Sequence, residues 1–294
     1  MNMNNYTLIT DVTCDLDAAT YESLGVVCIP MGFRLGEREY THYADEREIS
    51  VTEFYERLKA GEMPSTTQIN PMVYREYFEE SLKEGKDVLY LCFSSGLSGT
   101  FNTARMVASE LSEEYPARRI EVYDTRSASV GEGFVICKAG AAYKAGASID
   151  EVLEVTEKAV LHACHWFMVD NLMHLKRGGR LSSIEAILGT ALKIQPILSV
   201  NEEGKLLVVS KERGAKNAIA YLVKRLKQDA YNPQEQTVFL AHAGCPEKAE
   251  YLKQVLLSEG LVKDAVIYQV GPIIGSHVGN GMCAMVFEGE NYKF

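Results

Sequence analysis

The sequence predicts an α/β protein of two domains, each with a mostly parallel or mixed sheet flanked by helices. Three observations lead there. Short apolar runs alternate with segments whose apolar residues recur every three or four positions, the two periods of buried strand and packed helix. Val88 to Thr100 joins those patterns directly, an apolar run passing through a turn of hydroxyls and glycines into a helical spacing. At 294 residues the chain reaches the length at which single cores split, and its pattern changes character near residue 160. The expected domains are residues 1–160, with a small excursion at about 32–49, and residues 161–294.

In order, Tyr6–Thr10 reads as the first strand, ending in the polar turn Asp11–Asp15, with Asp15 or Asp17 capping a helix through Leu24. Asp11 is expected to bond the turn amides, with a ligand contact as the alternative. Val26–Met31 is the second strand, and Phe33, Leu35 and Tyr40 alternate with charges as in a hairpin. Ser50 and Glu53 form a capping-box pattern before a helix that stops at Gly61. A hydroxyl-rich loop between Pro64 and Pro71 precedes a helix through Leu82; Ser65, Thr66 and Thr67 are placed to cap it or to form a second set of donors beside Ser94 and Ser95. Beyond Thr100 a helix carries Phe101, Ala104, Ala108 and Leu111; a strand follows at Ile120–Tyr123, then a small-residue helix from Ala128 to Ala141, and Ser148 with Glu151 starts another.

In the second half Trp166–Val169 is apolar, Asp170 is placed to cap Asn171–Leu175, and residues 183–192 have a helical pattern. Ile194–Val200 and Lys205–Val209 read as strands about a turn, and Lys216–Gln228 as an amphipathic helix. Strand, helix and strand follow at Thr237–Ala241, Pro246–Ser258 and Ala265–Val270, then a glycine-rich stretch from Gly271 to Gly281 and a last strand, Met282–Phe287.

The net charge of −10 argues against a general nucleic-acid binder. Seven cysteines, widely spaced and without a C-x-x-C pair, indicate neither a disulfide framework nor a zinc site. No apolar run approaches the roughly 20 residues of a membrane span and no secretory leader is visible, so a cytoplasmic protein is expected, with at most transient membrane contact.

The turn after Leu91–Phe93 gathers backbone N–H groups, a helix start and the hydroxyls of Ser94 and Ser95, which suits a small anion; a well-capped turn without a ligand is the alternative. Neither a dinucleotide fingerprint nor a phosphate-loop motif occurs. His162 and His165, on an expected helix, and His174 lack the acidic or thiol companions of a metal site. His277 sits among Gly275, Gly279 and Gly281, where backbone can approach a ligand and imidazole can meet an oxyanion. Ser95 with His277 also admits a hydrolase acting on a small anionic or ester substrate, although Ser94-Ser95 is not a nucleophile elbow and no acidic orienter is marked.

Several stretches in a fixed order resemble the DegV family of bacterial fatty-acid-binding proteins: Ile9-Thr10-Asp11, Pro64–Gln68, Ser94–Thr100, Arg177–Arg180, Lys193–Leu198 and Gly271–His277. The resemblance covers nearly the whole chain. It implies a lipid site between two α/β domains and a bound long-chain fatty acid, with no other cofactor. It places the carboxylate at Thr66, Ser95 and His277, with Thr67, Ser94 and Arg213 as neighbours; Arg213 could instead meet a partner. It also implies a non-catalytic subunit of phospholipid metabolism, which shields the acyl chain and presents its carboxylate to a separate ATP-dependent fatty acid kinase. Two departures stand out: Gly279-Asn280-Gly281 where the family usually has Gly-Pro-Gly, and Thr66-Thr67 where a threonine-serine pair is common.

Overall fold

The computed structural model describes residues 5–181 and 194–291. The predicted helix at 183–192 lies outside the described residues. Strand β1 (Tyr6–Asp11) runs into a 3₁₀ turn (Val12–Cys14), then α1 (Ala18–Leu24), β2 (Val27–Ile29), β3 (Met31–Leu35) and β4 (Arg38–His42). Helix α2 (Val51–Lys59), β5 (Pro64–Thr66), α3 (Pro71–Lys83), β6 (Asp87–Cys92), α4 (Thr100–Glu114), β7 (Ile120–Asp124), α5 (Val130–Lys144) and α6 (Ile149–His162) complete the first half. The second holds β8 (Ala163–Met168), α7 (Met173–Arg177), β9 (Ile194–Val200), β10 (Leu206–Arg213), α8 (Ala215–Asp229), β11 (Thr237–His242), α9 (Pro246–Ser258), β12 (Asp264–Gln269), α10 (Pro272–Val278) and β13 (Cys283–Glu288).

The strands form a parallel sheet β2-β1-β6-β7, a small antiparallel sheet β4-β3-β5, and a mixed sheet β10-β9-β8-β13-β11-β12. The fold is thus the two-domain α/β arrangement the sequence predicts. The first sheet is parallel because each of its later strands is reached through a helical crossover. In the mixed sheet only β11 and β12 are parallel; the other pairs are antiparallel.

Strand alternation separates two cores. On β8 and β13, Phe167, Ala284 and Val286 face the first domain, while Trp166, Met168, Cys283 and Met285 pack under α8 and α9. Helix α5 touches both large sheets, and 10 of its 15 residues are buried. That position explains its small residues, which let backbones approach on both sides.

Local expectations differ in four places. Asn70, and neither Ser65, Thr66 nor Thr67, caps α3, because residues 64–66 are drawn into β5 by pairing with β3. Asp170 is an ion-pair partner of Lys248 at 2.6 Å, and α7 starts later with Asn171 accepting from the Met173 amide. His165 lies on β8, since the preceding helix ends at His162. The stretch after Gly271 is the short helix α10, with Pro272 at its first turn.

Candidate functional site

A narrow cavity runs between the two domains, lined mainly by apolar side chains from both. The centre of a water-sized sphere could occupy about 80 Å³ of it, where one water needs roughly 10–15 Å³. Its direction is readable from β13. Met282, Ala284 and Val286 line it in succession, with Phe167 opposite Ala284 and His165 opposite Val286. Four residues of strand advance about 14 Å. The cavity therefore extends from the α10–β13 connection toward the start of α5, where Gly131 lies against His165.

The end nearest α10 is polar. Thr66 Oγ1 and His277 Nε2 are 3.0 Å apart, and both residues line the cavity. Thr66 is placed by β5 pairing with β3, and His277 by α10, which packs against that same small sheet. His277 Nδ1 has no hydrogen-bond partner among the described residues, and a Cβ on Gly178 would lie 2.3 Å from it, so glycine is what lets the ring occupy this position. Burial, and then the charge of Arg180, pull the His277 pKa down to about 4. Arg180 lines the same end, its Nε donating to the Leu97 carbonyl at 2.9 Å and its Nη1 to the Gly178 carbonyl at 2.5 Å. It has no carboxylate partner among the described residues, and burial lowers its pKa. A guanidinium with no acid partner among the described residues, beside a neutral imidazole and a hydroxyl, suits an anion.

The structure brings Thr66 and His277 together and distributes the other predicted residues differently. Thr67 Oγ1 donates to the Gly32 carbonyl on the outer face of the small sheet. Ser94 is buried and donates to the Gly204 carbonyl at 2.8 Å, clasping the β9–β10 turn to the first domain. Ser95 is exposed, its amide donating to Asp124, and no hydrogen bond joins it to His277. Arg213 is exposed at the end of the edge strand β10. Ser98, in the same serine turn, does line the cavity and pairs with Thr100 Oγ1 at 2.7 Å. Arg180 and Ser98 carry no local signal that separates them from an ordinary loop cation and a helix-start hydroxyl.

A buried acidic network backs the wall. Tyr90 donates to Asp11 Oδ2 at 2.7 Å, and the Thr13 amide donates to Asp11 Oδ1 at 3.0 Å, as expected of a carboxylate closing its own turn. Thr13 Oγ1 contacts both Asp11 Oδ1 and, at 2.9 Å, Glu132 Oε2. One hydroxyl proton cannot serve two carboxylates, so one acid is protonated. Burial, followed by the Asp11 charge, pushes Glu132 well above the usual carboxyl range, which makes it the neutral acid that donates to Thr13. No group of three or more His, Cys, Asp or Glu among the described residues is arranged to hold a metal, and none of their helices is long and apolar enough to cross a membrane.

Two sheeted domains enclosing an apolar channel with an anion receptor at one end define a two-domain α/β protein with a site suited to an amphipathic acid. Residues 5–290 match the model of the DegV family, described as uncharacterised proteins. The chain is 40% identical over 288 residues to a DegV domain-containing protein of Clostridium perfringens, covering 98% of this chain and 99% of that one. This protein belongs to the DegV family. Among solved structures, it superposes with a TM-score of 0.86 on a fatty-acid-binding DegV-family protein from Thermus thermophilus (30% identity; 98% and 99% of the two chains). DegV of Bacillus subtilis, described as a fatty acid binding protein, gives a TM-score of 0.81 at 29% identity, over 96% and 98% of the chains.

Proposed function

We propose that this protein binds a long-chain fatty acid, its acyl chain along β13 and its carboxylate at the Thr66–His277–Arg180 end, and presents that carboxylate to a separate ATP-dependent fatty acid kinase. The observation that carries the reading is an apolar channel ending at a cation, Arg180, that has no acid partner among the described residues. A zigzag of ~1.52 Å C–C bonds advances about 1.3 Å per methylene, so the ~14 Å from Met282 to Val286 accommodates about eleven. Each contributes roughly 0.8 kcal/mol when buried, which makes the chain the main source of affinity and the head group the source of orientation. Ser98 stands beside the head group as a further hydroxyl. Ser94, Ser95 and Thr67 adjoin residues that line the cavity without lining it themselves and are kept as outer donors to the carboxylate; Arg213, outside the cavity, is assigned to partner contact.

Solvent extraction and mass spectrometry of the purified protein test the binding reading, which fails if no fatty acid is recovered and none exchanges in. Presentation is tested by adding a fatty acid kinase catalytic subunit with ATP; formation of acyl phosphate that does not depend on this protein would refute it. The protein by itself is expected to be non-catalytic and to act in the cytoplasm.

A further inference from the structure

Asp15 joins the cavity wall to the helix that carries His277. Its Oδ2 accepts from the Ser129 hydroxyl at 2.5 Å, and Ser129 lines the acyl cavity in a left-handed conformation, φ 54°. Its Oδ1 accepts from the Gly271 amide at 2.9 Å, and Gly271 is the N-cap of α10. One carboxyl group of the first domain thus anchors the start of a second-domain helix whose last turn holds the ring paired with Thr66. The adjoining residue is tied as well, the Tyr55 hydroxyl donating to the Val270 carbonyl at 2.8 Å.

We propose that Asp15 is the positioning residue of the His277 helix and that its proton occupancy sets how firmly the site holds a fatty-acid carboxylate. This rests on the fatty-acid reading of the cavity. Ionised, Asp15 gives the Gly271 amide a charge-assisted bond, roughly twice as strong as a neutral one. Protonated, it donates to Ser129 Oγ instead and keeps only a neutral bond to Gly271. The groups around it are Asp11 on β1, Glu132 on α5, His42 on β4 and Tyr55 on α2, with Asp17, Glu46 and Tyr268 lining the adjoining cleft. None of these is a lysine or arginine. Burial keeps His42 neutral, its pKa lowered to about 4. Burial, partly offset by the two donors, leaves Asp15 at about 7. The cleft opens a path for protons that avoids the acyl cavity.

The affinity for palmitate should therefore rise about fivefold as pH increases through 7, the difference between a charge-assisted and a neutral bond. His277 acts in the opposite sense, since a bound anion favours its protonated ring. The experiment measures palmitate binding from about pH 5.5 to about pH 8.5, where the acid stays ionised, for wild type, Asp15→Asn and Ser129→Ala. The His277 ring signals are followed by NMR in the ligand-free proteins. Asp15→Asn should abolish the rise, Ser129→Ala should move its midpoint upward, and the wild-type His277 signals should shift with a midpoint near 7 that Asp15→Asn removes. An unchanged rise in Asp15→Asn, or His277 signals without a transition near 7, would overturn the proposal. Absence of palmitate binding at every pH, with the NMR transition intact, would instead overturn the fatty-acid reading and leave Asp15 as the positioning residue of the helix.

Discussion

Replacing Ala284 with Leu should divide the cavity. Ala284 lies midway along the lining stretch from Met282, just before β13, to Val286, and opposite Phe167. Two strand residues separate it from Val286, about 7 Å, or about five methylenes of an extended chain. At roughly 0.8 kcal/mol per methylene, a long acid that cannot pass loses about 4 kcal/mol, close to a thousandfold in Kd. A short acid ending before Ala284 should bind as it does to the wild type. Competition of straight-chain acids of increasing length against a fluorescent fatty acid reads this directly, with the melting temperature as a check that overpacking has not damaged the fold. Long acids bound as tightly as before would refute the path along β13. Equal weakening at every length, with the melting temperature unchanged, would refute it too.

Removing a head-group donor should weaken acids of every length alike. His277→Ala, Thr66→Ala and Arg180→Met are each expected to cost about 1.5–3 kcal/mol, or ten- to roughly a hundredfold in Kd, by the same competition assay. Asp15, at about 7, lies above its unfolded value near 3.9 and Glu132 is also raised, so both withdraw stability as pH rises, while the buried His42 and His277, lowered to about 4, add stability up to about pH 6.5 and oppose them there. Groups raised on folding stabilise fully below their unfolded pKa and lose that contribution as pH passes the folded value. Melting temperatures should therefore decline above about pH 6.5, where the histidines no longer oppose, and less steeply in Glu132→Gln. Ser94→Ala leaves the Gly204 carbonyl without its donor and should cost about 1–3 kcal/mol in denaturant unfolding. Gly204→Ala should cost at least as much, since φ there is +74° and its Cβ would lie 2.1 Å from Ser94 Oγ.

Much of the fold was legible locally. Capping at Asp17, Ser50 and Ser148, the period-two strands and the proline starts of α3 and α9 all depend on neighbours within a few residues. Sequence alone places His165 on a helix because an apolar run after α6 does not distinguish one more helical turn from a buried strand, and pairing with Val286 decides. The small sheet was legible only as a hairpin. Its third strand is the loop holding Thr66, paired with β3 some thirty residues earlier.

The functional residues divide in the same way. Thr66 and His277 stood out by residue type and setting, hydroxyls between prolines and a histidine among glycines. The serine turn likewise showed its hydroxyls, but not which of them would meet the cavity. Ser98 lines it, Ser94 clasps the β9–β10 turn, and Ser95 faces outward, because the turn's path and the second domain's approach set each direction.

By itself the sequence determined the alternation of strands and helices, the two α/β domains, and a set of candidate donors rich in hydroxyls. These follow from periodicity and capping, which act over a few residues. Tertiary structure decided that Thr66 and His277 meet, that Arg180 stands beside them with no acid partner among the described residues, and that Asp15 bonds both Ser129 and Gly271. Those contacts join residues separated by more than eighty positions, and burial alters their charges. Distance and desolvation exist only once the two domains have packed.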